Sequence, residues 1–205
     1  MRTVRFFFGI GSRYSYLAAT QVPRLAQETG ARFDWRALHS PELIAGAGPD
    51  PFRADNRRGQ YDAAYRTTDA TRWARYYGVP YSEPPWSEID WKLLALGAVA
   101  AEMLGAGEAF ALRLFNACFA EASAPRTRDA VIELAPEVGL SMTAFGGTLE
   151  SSAAAERHRM NLEAARAASA FGVPSFVLDD GQLFWGQDRL PLLRQELLRS
   201  AARAG

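Results

Sequence analysis

The chain has 205 residues with 48% hydrophobic content, enough for one large domain or a domain carrying an insertion. Lys+Arg 23 against Asp+Glu 23 leave no net charge, so nothing in the balance asks for a nucleic-acid partner. A single cysteine, Cys118, excludes an internal disulfide framework and a cysteine-rich zinc site.

Residues 3–8 are rich in aromatics and hardly alternate, the pattern of a strand buried on both faces. The run Phe6–Phe8 is too short for a signal-peptide core and lacks a small-residue cleavage site. No apolar stretch approaches the ~20 residues of a membrane span. A soluble cytoplasmic protein with no membrane partner is therefore expected.

A glycine-containing turn, Gly9-Ile10-Gly11, leads to a helix opening on Ser12 and running from about 13 to 29, with Gly30 as its stop. Backbone N–H groups at a helix start lack internal partners and carry partial positive charge, which suits an anion or thiolate. Ser12 and Ser15 have the spacing of a redox Cys-x-x-Cys pair, but both are hydroxyls. The pattern therefore keeps the means to hold a foreign thiolate without dithiol chemistry of its own. Residues 31–38 alternate polar and apolar as a half-buried strand, completing a strand–helix–strand unit with parallel strands.

From Ser40 to Pro51 the chain is Pro/Gly-rich and is expected to be a loop. Helical patterns then dominate from about 53 to 170. Tyr61, Tyr65, Trp73 and Tyr77 share one helix face ending at Gly78-Val79-Pro80. A Pro-rich connector runs from Pro80 to Pro85. Helices are predicted over 91–104, 108–118, 128–137 and 151–171. Cys118, among Leu114, Phe115 and Phe119, reads as a buried inert thiol. The two histidines, His39 and His158, have no metal-ligand spacing, and no metal is expected.

Gly172 to Leu178 reads as a strand entered through Pro174. Asp179-Asp180-Gly181 is a hairpin turn, 182–185 the returning strand, and a leucine-rich helix closes the chain. The order β-α-β, helical block, α-β-β-α predicts an α/β fold: a small mixed sheet with a large all-helical insertion. Residues 1–50 and 160–205 would form the sheet domain and 51–159 the insertion.

Four segments occur together in this order: Ser12-x-Tyr14-Ser15-Tyr16-Leu17-Ala18, Arg72-Trp73-Ala74-Arg75-Tyr76-Tyr77-Gly78-Val79-Pro80, Gly172-Val173-Pro174-Ser175-Phe176 and Phe184-Trp185-Gly186-Gln187-Asp188-Arg189-Leu190. With the element order, they make the chain resemble the thioredoxin-fold group of bacterial 2-hydroxychromene-2-carboxylate isomerases, kappa-class glutathione transferases and periplasmic disulfide oxidoreductases. The resemblance covers nearly the whole chain. It implies a thioredoxin-like sheet and glutathione as cofactor, with the serine equivalent to Ser12 beside the sulfur. It also implies a cis peptide at Pro174 and backbone pairing of the tripeptide with Val173. Asp188 would receive the γ-glutamyl ammonium, and Gln187 would help hold the γ-glutamyl carboxylate. Because the family is often dimeric, a homodimer is expected.

The chain departs from the family at Gly9, Ile10 and Arg13, where Asp, Phe and Pro are usual, and in Ser40–Gly48, which has no lysine. Arg13 therefore has two readings: a guanidinium holding a substrate carboxylate, or a solvated arginine in the first helical turn. Asn56 is a second candidate for substrate contact, and Arg57 and Arg58 are weaker ones. Ser15 and the aromatics Trp73, Tyr76 and Tyr77 read mainly as structural.

The expected activity is glutathione-dependent isomerisation of a small aromatic carboxylate of the 2-hydroxychromene-2-carboxylate kind, with Ser12 steadying the thiolate. Two alternatives stand beside it. One is a kappa-like transferase. The other is a thioredoxin-fold binding protein without activity, in which Arg13 and the altered loop close the pocket.

Overall fold

The computed structural model describes residues 2–45 and 59–204. Strand β1 (Thr3–Phe8) lies inside a four-stranded sheet of order β2-β1-β3-β4, with β2 Arg32–Ala37, β3 Ser175–Leu178 and β4 Leu183–Trp185. It runs parallel to β2, with Phe6 opposite Trp35, and antiparallel to β3, with Phe6 opposite Phe176. β3 and β4 pair antiparallel around the predicted hairpin turn. The fold is mixed α/β and thioredoxin-like, with a helical block between β2 and β3.

Both faces of the sheet are covered, which is why β1 reads as an unbroken aromatic run. Phe6 and Phe8 join Trp35, Phe176, Tyr16, Phe115 and Leu193 in the larger core. Phe7 points the other way, into a second core with Leu38, Leu43, Leu162 and Val177. Phe6 stacks on Phe176 with centroids 4.7 Å apart. Each such buried phenylalanine contributes roughly 1.5–3 kcal/mol of apolar burial.

The predicted first helix is two helices, α1 (Arg13–Ala19) and α2 (Val22–Thr29). Pro23 sits in the first turn of α2 and has no N–H to carry the ladder back into α1. Gly30 caps α2 in the left-handed conformation, as expected. The expected loop after β2 begins instead as a helix, α3 (Ser40–Ala45). Pro41 suits a first helical turn, and Leu43 is fully buried in the second core.

The helical block comprises α4 (Ala63–Tyr77), α5 (Trp91–Met103), α6 (Gly107–Phe119), α7 (Arg128–Glu133), α8 (Met142–Leu149) and α9 (Ser152–Ala167). Helix α8 escapes the sequence reading because Gly146-Gly147 lowers its helical propensity. Packing overrides propensity there: Phe145 is fully buried against Phe110, with centroids 4.7 Å apart. The predicted 128–137 helix breaks at Pro136, where a 3-10 turn spans Ala135–Val138. Helix α10 (Leu190–Ala204) closes the chain and packs on α2. Among the described residues no helix is long and apolar enough to cross a membrane.

Candidate active site at the end of the sheet

The topology brings three distant segments to one end of the sheet. β1 runs out at Phe8 into Gly9-Ile10-Gly11 and Ser12. Because β3 is antiparallel to β1, with Phe7 opposite Ser175, the residues entering β3 lie at that same end. The Val173-Pro174 bond there is cis, as the resemblance implies. The 3-10 turn Gln187–Arg189 packs against α1.

Ser12 caps α1. Its Oγ accepts the Ser15 N–H at 3.1 Å, an arrangement that does not use its own proton. Ser15 is fully buried, and its Oγ accepts the Gly9 N–H at 3.4 Å, the structural role expected of it. Gly11 allows a close approach that a larger residue would not: a Cβ there would lie 2.9 Å from the Trp91 ring. Trp91 and Trp86 (centroids 5.2 Å apart) continue through Phe119 to Tyr16 and Tyr81, forming an aromatic wall under α1. Tyr16 donates to the Pro80 carbonyl at 2.5 Å, and burial pushes its phenol up to about 12.

Among the described residues Val173 makes no backbone–backbone hydrogen bond, whereas Pro174 next to it accepts the Gly186 N–H at 2.9 Å. Gln187 is buried, and its Oε1 accepts the Tyr77 hydroxyl at 2.9 Å. Its amide donors have no protein acceptor among the described residues. Asp188 is half-exposed and pairs with Arg189. Gly186, at φ 103, occupies a backbone conformation that other residues rarely adopt, and a Cβ there would collide with the Asp188 carboxylate.

Arg13 is not a solvated arginine: its side chain is only 7% exposed. Its Nη1 lies 3.1 Å from Glu83 Oε1 and donates to Thr67 Oγ1 at 3.3 Å. The guanidinium sits 4.9 Å from the Trp86 ring centroid, and its Nε is buried with no acceptor among the described residues. The adjacent Tyr14 donates to Asp69 Oδ2 at 2.9 Å, so α1 is tied twice to α4. Burial, reinforced by Asp69, holds the Tyr14 phenol far above its ordinary range. The other oxygen of Glu83, Oε2, accepts the Trp86 indole N–H at 2.7 Å, while the Tyr81 hydroxyl donates to Oε1 beside Arg13. Arg66 is also nearby, its pKa lowered by burial and by the Arg13 charge.

Asn56, Arg57 and Arg58 lie outside the described residues. Glu83, Thr67 and the Tyr77–Gln187 contact are missed by sequence reasoning. Glu83 lies in a Pro-rich connector far along the chain from Arg13, and no local pattern joins the two. A polar cluster flanks the same loop beyond Gly9. The His39 N–H donates to His158 Nε2 at 3.0 Å, and Glu42 Oε1 takes both His39 Nδ1 (3.1 Å) and Lys92 Nζ (2.9 Å). Lys92 is the chain's one lysine. Among the described residues no group of three or more His, Cys, Asp or Glu could hold a metal ion.

The DSBA-like thioredoxin domain family matches residues 3–198. A 2-hydroxychromene-2-carboxylate isomerase of Sphingobium xenophagum is 31% identical over 198 residues, covering 96% of this chain and 98% of the relative. A protein of the same name from Pseudomonas putida is 30% identical over 199 residues, covering 96% and 94%. A solved structure of 2-hydroxychromene-2-carboxylate isomerase superposes with a TM-score of 0.83 at 27% identity, covering 98% of this chain and 97% of that one.

Proposed function

Since the chain belongs to the DSBA-like thioredoxin domain family and its full-length relatives carry an isomerase name, we propose that it is a glutathione-dependent isomerase of 2-hydroxychromene-2-carboxylate or a related aromatic keto acid. The observation that carries the reading is that Ser12, with a hydroxyl proton to give, and Val173, whose backbone pairs with no other among the described residues, lie at the same end of the sheet.

These residues fit the tripeptide. Val173 offers a peptide edge for an extended chain. Asp188 offers a carboxylate to an ammonium, and the Gln187 amide donors suit a carboxylate. Glutathione, when bound there, would supply the thiolate nucleophile for reversible conjugate addition to the acid.

The chain's own residues do the rest. Ser12, with its hydroxyl proton to give, would donate a hydrogen bond to the sulfur and favour thiolate over thiol near neutral pH. Arg13 anchors the substrate's carboxylate, and the aromatic wall behind it excludes water and fixes the ring's approach. With two hydroxyls in place of a dithiol, and Cys118 buried with its thiol pushed up to about 12, the described residues offer no thiol for disulfide exchange.

The test is turnover of the chromene carboxylate with glutathione present, followed by absorbance and by free-thiol titration. Isomerisation with the thiol conserved is expected. Steady thiol consumption would assign a transferase instead. No glutathione binding at millimolar ligand would refute both. Ser12→Ala should lower kcat by about two orders of magnitude, as for loss of one transition-state donor. Unchanged turnover would remove Ser12 from the chemistry.

A further inference from the structure

The strongest feature outside the family pattern is the carboxylate already sitting on Arg13. We propose that Glu83 is a specificity-determining residue: it occupies Arg13 in the free protein and yields that guanidinium to the substrate's own carboxylate. The inference deepens the reading of Arg13 as the substrate's anchor and rests on it.

The Arg13–Glu83 contact is incomplete on the arginine side. One carboxylate oxygen meets one terminal nitrogen at 3.1 Å, and that nitrogen is shared with Thr67 at 3.3 Å. The Nε donor, buried with the rest of the side chain, has no acceptor among the described residues. A guanidinium satisfied by its intended partner is usually met side-on by two oxygens. An unmet buried donor favours any ligand that supplies the missing acceptor.

On the glutamate side, release is inexpensive. Trp86 Nε1 holds the other oxygen, Oε2, at 2.7 Å, and the Tyr81 hydroxyl donates to the same Oε1 that Arg13 meets and stays on it when Arg13 leaves. Its side chain is 26% exposed, so water can replace the lost contact. Glu83 can therefore let go of Arg13 without becoming an orphaned buried charge.

The surroundings define the class of acid. The flat guanidinium lies over the Trp86 ring, and Trp91 continues that wall toward Gly11. Arg66 adds a second cation beside Arg13. A planar aromatic monocarboxylate matches both the flat wall and the positive charge. Glu83 competes with it for Arg13 and repels it until displaced.

The experiment uses trans-cinnamate as probe, its binding read by calorimetry and tryptophan fluorescence without glutathione. Glu83→Gln removes the competing charge, its one oxygen kept by the Trp86 N–H and its NH2 turned to the Tyr81 hydroxyl, which can accept. It should bind cinnamate about tenfold more tightly than the unaltered protein. KM for the chromene carboxylate should fall by a similar factor with little change in kcat. Arg13→Lys should abolish the gain in the Glu83→Gln background. Should Glu83→Gln fail to fold, Glu83→Asp, which draws the charge back from Arg13, is expected to tighten binding in the same direction.

Equal or weaker cinnamate binding by the folded Glu83 variants overturns the proposal, as does a gain that survives Arg13→Lys. If the gain appears but the protein never isomerises the chromene carboxylate, the isomerase reading fails and the role of Glu83 stands.

Discussion

The Tyr77 hydroxyl, on the last turn of α4, donates to the Oε1 of Gln187 at 2.9 Å and lies 3.2 Å from the Gln187 carbonyl. One side chain thus ties the helical block to the turn that opens the last helix. Burial holds its phenol well above the ordinary range, so it remains a donor at any working pH. Tyr77→Phe removes the donor that the buried Gln187 amide oxygen has among the described residues, a loss of roughly 1–3 kcal/mol. A lower urea midpoint is expected, together with weaker glutathione binding as the Gln187–Asp188 turn loosens. An unchanged glutathione affinity would separate that turn from the binding site.

Gly11→Ala places a methyl group against the Trp91 ring, 2.9 Å from its nearest atom. Overpacking of this kind costs about 1–3 kcal/mol. Because Gly11 immediately precedes Ser12, turnover should fall more steeply than Tm. Trp91→Leu in the same protein should restore part of the Tm by opening space. A Gly11→Ala protein with unaltered Tm and kcat would show that this contact relaxes freely.

Stability should decline in mild acid through His158. The imidazole is buried, its Nε2 accepts the His39 N–H, and its pKa is lowered by burial, with Glu42 opposing and Lys92 and His39 adding to the shift. These three groups face it, and Arg166 donates to the Glu42 carbonyl behind them at 2.8 Å. A depressed histidine stays neutral in the folded chain, while the unfolded chain takes up its proton near pH ~6.5. The stabilisation is therefore complete above that value and is lost as pH falls below it toward the folded-state pKa. Unfolding free energy measured from pH 8 to pH 5 should drop on the acid side. A His158→Gln protein should show a shallower decline, and equal slopes would exonerate His158.

Cys118 should be silent in the folded protein. It is fully buried, and burial pushes its thiol up to about 12. A dithiobenzoate reagent at pH 8 is expected to label it only at the rate of unfolding, and at once in denaturant. Rapid labelling of the native protein would mean that α6 opens more readily than its packing indicates.

Much of this architecture is written in short stretches of sequence. The aromatic run of β1, the alternation of β2, the Gly30 and Gly78 helix stops and the Asp179-Asp180-Gly181 turn each follow from neighbours along the chain. The Ser12, Val173-Pro174 and Gln187-Asp188 segments identified a family because their order and residue types are specific. Tertiary contact decided what local preference leaves open. Leu43 finds a core and turns an expected loop into α3, while Phe145 holds α8 together across two glycines. Arg13 is the sharpest case. Its sequence position fits a solvated side chain as well as a buried one, and only the fold of the 80–91 connector brings Glu83 and Trp86 against it. Hydrophobic period, capping and turn chemistry act within a few residues and are legible one segment at a time. A charge's partner depends on which distant segments the core brings together, so the tertiary structure alone decides it.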